Sequence, residues 1–383
     1  MRSPICDLLG IDFPLVAFSH CRDVVAEVSK AGGMGVFGAA GTGPGKLEAE
    51  LSWIDDNVDG KPYGVDLIVP MTMEAKGREV SREDAVSRVP DEHRQFVSQL
   101  FETHGIDGEA IDNHSLKRGA RLNTNMRDDG ANALLDVAFS HPIKLIANAL
   151  GPPPGYMLER AKARGVPVAA LVGAREHALK QIEAGVDILV VSGTEAGGHC
   201  GEVSTLVLVP EVVEAVRPLS DVPILAAGGI VTGRQMAACM AMGADGAWTG
   251  SVWLTSAEAE TSPVVKEKML AATSRDTVRS RARTGKPSRQ LRSAWTDAWE
   301  SEAAPAPLPM PLQSIVVEPA MARVNRLAEG GHDGARALAS YFVGQGVGLM
   351  NHSMSTRDIV REFMEDFLAA TERLGAFTAD AED

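Results

Sequence analysis

Cysteine is scarce in this chain and widely spread. Cys6, Cys21, Cys200 and Cys239 form no CxxC pair, which argues against both a disulfide scaffold and a zinc site. No apolar run approaches the ~18–20 residues of a membrane-spanning helix. Met1 to Phe13 is broken by Pro4, Asp7 and Asp12 where a signal peptide needs an unbroken apolar stretch. Positive charge is in deficit: 37 Lys and Arg stand against 51 Asp and Glu, a net charge of −14. Such a surface repels phosphate backbones and anionic lipids, so neither nucleic acid nor membrane is expected as a partner. Together these absences lead to the expectation of a reduced, cytoplasmic, soluble enzyme.

What is present is a chain of 383 residues, 45% of them hydrophobic, long enough for one large α/β domain. Short apolar runs alternate with amphipathic stretches, the mark of βα units around a parallel sheet. The predicted strands are Phe13 to Phe18, Gly35 to Phe37, Tyr63 to Val69, Ile143 to Asn148, Val166 to Val172, Val186 to Val191, Val222 to Ala227 and Gly246 to Thr249. Helices are predicted between the later ones, over Tyr156 to Arg164, Arg175 to Ala184, Pro210 to Arg217 and Gly233 to Met242. Strands without inside/outside alternation are covered on both faces. Eight such units over about 250 residues match a (β/α)8 TIM barrel, with a doubly wound open sheet as the structural alternative.

Residues 1–255 are thus read as the barrel. Residues 71–140, polar and rich in His, form an insertion after the third strand, read as a lid or as a solvated helical excursion with a helix near Asp91 to Thr103. Residues 256–383 form a carboxy-terminal extension ending in a helix from Ser355 to Leu374, with Ile359, Phe363 and Phe367 on one face.

Four glycine-rich stretches bear on chemistry. Gly38 to Leu47 resembles a phosphate loop but has Leu47 where the magnesium-holding Ser or Thr belongs, so it reads as a turn before a helix. Ala226-Ala227-Gly228-Gly229-Ile230 ends the seventh strand and Trp248-Thr249-Gly250-Ser251 ends the eighth. Glycine lets backbone amides approach an anion, and barrels bind phosphate with these two loops. Either loop alone also fits a tight turn; the pair, about twenty residues apart, predicts a phosphate site. After the sixth strand, Ser192 to Gly201 sets one histidine, His199, among Gly197, Gly198 and Gly201. An imidazole there, titrating near neutrality, suits proton transfer.

These residues carry a resemblance. Glu195-Ala196-Gly197-Gly198-His199, Ala226 to Ile230, and Met242-Gly243-Ala244-Asp245-Gly246 running into Gly250-Ser251 are similar to the nitronate monooxygenase (2-nitropropane dioxygenase-like) family of FMN-dependent barrels. Thr284 to Arg289 and Gly344-Gln345-Gly346 resemble that family's carboxy-terminal pattern. Flavin-dependent enoyl-acyl-carrier-protein reductases share most of these motifs. The resemblance implies FMN with its phosphate on Gly228, Gly229, Gly250 and Ser251. The ring system would lie near Phe18, Ser19 and Asp66 and the Ser192-Gly193 loop, with Gly197, Gly198, Thr249 and Gln345 also lining the cofactor. His199 would face the substrate, with His20 as a second catalytic candidate. Three stretches depart from the family pattern: Phe18-Ser19-His20 replaces Ala-Pro-Met, Gly64-Val65-Asp66 replaces Gly-Val-Asn, and Asn148-Ala149-Leu150 stands where many members carry an aromatic residue and sometimes a second histidine.

The function so implied is oxidation of a small nitronate-like or acyl-type substrate, with O2 or NAD(P)H as redox partner; no metal is expected. A homodimer stays open. The alternatives are an NAD(P)H-dependent enoyl-thioester reductase, a flavin-free phosphate-binding lyase or isomerase, and a non-catalytic binder.

Overall fold

The computed structural model describes residues 3–69, 87–107, 128–149 and 151–379. Eight parallel strands close into a barrel: β1 (Leu15–Ser19), β2 (Met34–Gly38), β3 (Tyr63–Leu67), β4 (Leu145–Asn148), β5 (Val168–Val172), β6 (Ile188–Ser192), β8 (Ile224–Ala227) and β9 (Gly246–Thr249), with β9 hydrogen-bonded back to β1. The two-residue β7 (Gly198–His199) lies outside the barrel and pairs with β11 (Ser288–Leu291), which pairs with β10 (Thr277–Ser280). The predicted seventh and eighth strands are therefore β8 and β9. Closure rules out the open-sheet alternative.

Side chains alternate along each strand between the barrel's interior and its helical coat. Val16, Val36, Leu145, Ala169, Val190 and Trp248 fill the interior. The short helix Pro4–Leu9 adds Ile5 and Leu9 to the same cluster. Tyr63, Val65 and Leu67 of β3 point the other way, into a cluster with Leu47, Leu51 and Ile54 of the helix Pro44–Asn57. Catalytic groups in this architecture come from the carboxy-terminal strand ends, and all the predicted site residues lie at or beyond those ends apart from Gln345.

Two findings revise the predicted boundaries. The helix Asp128–Ser140 belongs to the barrel coat, because Ala131, Leu134, Leu135 and Phe139 bury against the outward face of β3 and its neighbouring helix. The helix Asp91–Thr103 instead joins the carboxy-terminal extension: Phe96 packs edge-on to Trp299 at 4.8 Å, and His93 Nε2 donates to the Ala306 carbonyl at 2.9 Å. Of the predicted lid, residues 71–86 and 108–127 lie outside the described residues. The helix predicted to start at Pro210 runs from Thr205 to Val216, with Pro210 inside it.

The final helix, Thr356–Ala379, lies on the barrel coat, and Ile359, Phe363 and Phe367 are buried as their spacing predicts. The approach is close: a Cβ on Gly233 would come within 2.0 Å of the Phe363 carbonyl oxygen. The rest of the extension reaches the carboxy-terminal mouth, where residues 343–346 and β11 meet the loop after β6.

Candidate active site

The loops after β8 and β9 form a cradle that side chains would fill. Gly228 and Gly229 both have positive φ, +105° and +71°, a region that L side chains rarely adopt. A Cβ on Gly228 would lie 2.7 Å from Thr205 Oγ1, and one on Gly229 would lie 2.9 Å from Glu195 Cβ. The Gly229 carbonyl is drawn away by Gln235 Nε2, which donates to it at 2.9 Å. Thr232 and Gln235 already cap the following helix, Gly233–Ala241, with a reciprocal capping box. An anion here is therefore met by the amides of the glycine loop, with the helix dipole behind them.

A third glycine segment covers the cradle. The Gly344 amide donates to Ser251 Oγ at 2.8 Å, and the Gln345 amide donates to the Glu195 carbonyl at 2.9 Å. A Cβ on Gly346 would sit 2.7 Å from the Gly229 carbonyl oxygen. Gly250 keeps open space, its nearest side chain being the Phe18 ring at 4.0 Å. Three loops distant in sequence thus present bare backbone to one place. That suits an anionic group such as a phosphate.

The family model for nitronate monooxygenase matches residues 2–366. The chain belongs to the nitronate monooxygenase family. It is 51% identical over 377 residues, 98% of each chain, to the Mycobacterium tuberculosis protein named Putative monooxygenase Rv1533. Over 178 residues, 46% of this chain and 49% of the relative, it is 36% identical to a Rhodococcus jostii 5-hydroxy-7a-methyl-1-oxo-octahydro-indene-4-carboxyl-CoA dehydrogenase. The solved nitroalkane oxidase of Streptomyces ansochromogenes superposes with a TM-score of 0.77 at 24% identity, covering 97% of this chain and 99% of that one. This nitronate monooxygenase relative is accordingly an enzyme of a flavin-dependent oxidoreductase family.

Its predicted site residues divide by what their side chains do. His199 sits on β7, exposed at the rim, with Nε2 2.8 Å from Thr284 Oγ1. Although the outer edge of the ring is open, protein encloses the rest. That enclosure, with the Lys286 ammonium behind it, holds its pKa below the ordinary value. The imidazole is therefore neutral near pH 7, as a proton acceptor requires.

His20 Nδ1 donates to the Gly38 carbonyl at 2.7 Å, which leaves Nε2 with its lone pair. Enclosure lowers its pKa first, the Gly38 bond partly offsets that, and Lys46 lowers it further. The Phe18 ring meets the His20 ring edge-on at 5.0 Å, and both occupy the space that a Cβ on Gly38 would need. Ser19 Oγ accepts from the Cys21 amide at 3.1 Å and so closes the turn after β1.

Ser192 faces the barrel mouth, two residues beyond the interior Val190. Gly193 has no room for a side chain, since a Cβ would meet Thr205 Oγ1 at 2.2 Å. Gly197 packs on Val343 and Gly344, and Gly198, at φ +77°, makes the turn into β7. Thr249 departs from its expected place on the cofactor. Opposite Trp248 on β9, it is buried, donates to the Val16 carbonyl at 3.0 Å and accepts from Trp253 Nε1 at 3.0 Å. Gln345 contributes its backbone through the bond to Glu195.

Sequence reasoning passed over two supports of the site. Glu195 Oε2 accepts from both the amide and the hydroxyl of Thr205, at 2.9 and 2.8 Å, and the same hydroxyl lies 3.0 Å from the Gly228 carbonyl. Arg289 is buried, donating from Nε to the Thr194 carbonyl at 2.9 Å and from Nη1 to Thr277 Oγ1 at 3.2 Å. A carboxylate ten residues before a helix start, and an arginine on an otherwise uncharged strand, were the available signals.

Asp66 is the exception in the wall. It is 5% exposed, its Oδ1 has no partner among the described residues, and burial alone pushes its pKa up to about 7. Below about pH 4 the carboxyl is protonated in both folded and unfolded chains and is neutral for stability. Between pH 4 and 7 only the unfolded chain ionises, so the folded state loses ground as pH rises. A difference of about three units corresponds to about 4 kcal/mol above pH 7. Asp66→Asn is therefore expected to raise the melting temperature of the flavin-free protein more at pH 8 than at pH 5. An equal shift at both values contradicts a buried, unpaired carboxyl.

Proposed function

We propose that this protein is an FMN-dependent oxidase or monooxygenase of a small carbon acid or its anion, with O2 as the electron acceptor. The observation that carries this reading is the convergence of Gly228-Gly229, Gly250-Ser251 and Gly344-Gly346 on one bare-backbone cradle at the barrel mouth. One phosphate fits that cradle, and the sequence has no adenine-binding fingerprint. Bound FMN supplies the electron-accepting chemistry; the protein orients the substrate and manages protons.

The chain's own residues have definite parts. Loop amides after β8 and β9 take the phosphate charge. The Phe18 ring and the His20 edge form an apolar corner with one acceptor nitrogen. His199, held by Thr284 and neutral at pH 7, positions the substrate at the rim or takes a proton there. The Glu195–Thr205 and Arg289–Thr194 bonds fix the loop between β6 and β7 that carries it.

A second reading, redox chemistry on an acyl thioester, draws on the 36% identity with the Rhodococcus dehydrogenase. Oxygen uptake on adding a nitronate, with no anaerobic bleaching of the flavin by NADH or NADPH, is the outcome expected of the first reading. Anaerobic bleaching by NAD(P)H without nitronate-driven oxygen uptake replaces it with the reductase. A colourless protein that FMN does not reconstitute replaces both with a flavin-free phosphate-binding barrel.

A further inference from the structure

Asp66 is placed by strand geometry. Gly64, two residues earlier on β3, faces the interior: a Cβ there would touch Leu145 Cβ at 2.9 Å and Val36 Cγ2 at 3.3 Å, both filling the barrel. The pleat repeats every two residues, so Asp66 projects the same way, one step nearer the carboxy-terminal mouth. It pairs across the sheet with Gly38 on one side and Ala147 on the other. Gly38 is the residue whose missing side chain admits the Phe18 and His20 rings, which puts carboxyl and imidazole at one corner of the mouth.

A buried carboxyl in a barrel wall normally has a cation or several donors, because an unpaired one opposes folding. The Oδ1 of this one has no hydrogen-bond partner among the described residues, and burial raises its pKa. Desolvation makes such a carboxylate a stronger base than one in water. Its surroundings also make it a poor neighbour for an anion, since a carboxylate and a bound nitronate repel at low dielectric. Both properties suit a substrate that arrives neutral.

We propose that Asp66 is a general base that takes the C–H proton of a neutral carbon acid, one whose carbon stands next to a nitro or carbonyl group. This inference rests on the function proposed above and narrows its substrate class. The C–H bond breaks and an O–H bond forms on Asp66. The electron pair of the C–H bond stays on the substrate, spread onto the nitro or carbonyl oxygens. The negative charge thus leaves Asp66 as it appears on the substrate, and a neutral carboxyl able to donate a hydrogen bond faces the new anion. The step needs no oxidant.

The test compares 2-nitropropane with its preformed nitronate, in wild type and Asp66→Asn, over pH 6 to 9. Asp66→Asn is expected to lower kcat/KM for neutral 2-nitropropane by about 10²–10⁴-fold, the range for a lost general base, and to raise it for the nitronate. In wild type the neutral form gains with pH, and the nitronate loses, as Asp66 ionises. A second readout needs no turnover: anaerobic exchange of the C2 proton of 2-nitropropane for deuterium, followed by NMR, is lost in Asp66→Asn and partly restored in Asp66→Glu. Exchange that survives in Asp66→Asn overturns the proposal, as does an equal loss for both substrates at unchanged flavin content. Absent exchange in wild type with brisk nitronate oxidation overturns the Asp66 role and leaves the proposed function standing. Asp66-dependent exchange without any oxygen uptake does the reverse.

Discussion

Gly229→Val is expected to leave a folded barrel that no longer retains FMN. The residue stands at φ +71°, which a β-branched side chain strains to adopt, and its Cβ would press on Glu195 Cβ at 2.9 Å. Relief requires the loop to move away from the cradle or to push the Glu195 backbone, which also carries the Gln345 bond. Either movement withdraws amides from the phosphate. Two lost hydrogen bonds to a charged group, about 1.5–3 kcal/mol each, weaken FMN binding by roughly 10²–10⁴-fold. The strands lie below this loop and keep their pairing, so the melting temperature of the flavin-free protein changes much less. Gly45→Ala is the control, because Gly45 has ordinary φ and open space around its Cβ. The ratio of flavin to protein absorbance in the two purified variants is the measurement. Full occupancy in Gly229→Val moves the phosphate site elsewhere.

His199→Ala is expected to keep its flavin and lose turnover, by about 10²–10⁴-fold where the imidazole transfers a proton. The separation of effects follows from position. His199 is on the rim strand β7, while the cradle is built from the loops after β8 and β9 and from residues 344–346. Cys200 is the neighbouring competitor, a partly buried free thiol with no hydrogen-bonded base among the described residues. Steady-state kinetics of His199→Ala and Cys200→Ala, each at measured flavin content, decide between them. Unchanged kcat and kcat/KM in the first with a dead second variant transfers the role to the thiol.

The barrel was legible because its strands are short, apolar on both faces and bounded by Gly or Pro, and each of the eight predicted runs contains or overlaps an observed strand. Strand ends shifted by up to two residues, since an apolar residue ahead of a strand buries as well as one within it. Less visible was the start of the helix Thr205–Val216. Pro210 looks like a first helical residue, but the first turn is held by Glu195 reaching Thr205, a contact between residues ten apart that no local pattern encodes. The strand β7 has two residues and exists only because β11, nearly ninety positions later, pairs with it. Motif reasoning found the glycines of the cradle but not the direction of neighbouring side chains: Thr249 turns outward to Val16 and Trp253, while Asp66 turns inward with its Oδ1 unpartnered among the described residues. Alternation along a strand assigns such directions only once the strand's first inward residue is known. The helix Asp128–Ser140 hid inside a polar stretch whose composition masked its apolar face.

The most direct test is to release the chromophore of the purified protein by heat, chromatograph it and count it against protein. One FMN per chain, lost in Gly229→Val and kept in His199→Ala, is the result expected from the three-loop cradle. Chromophore that runs as FAD, or a protein still colourless after reconstitution with FMN, contradicts it.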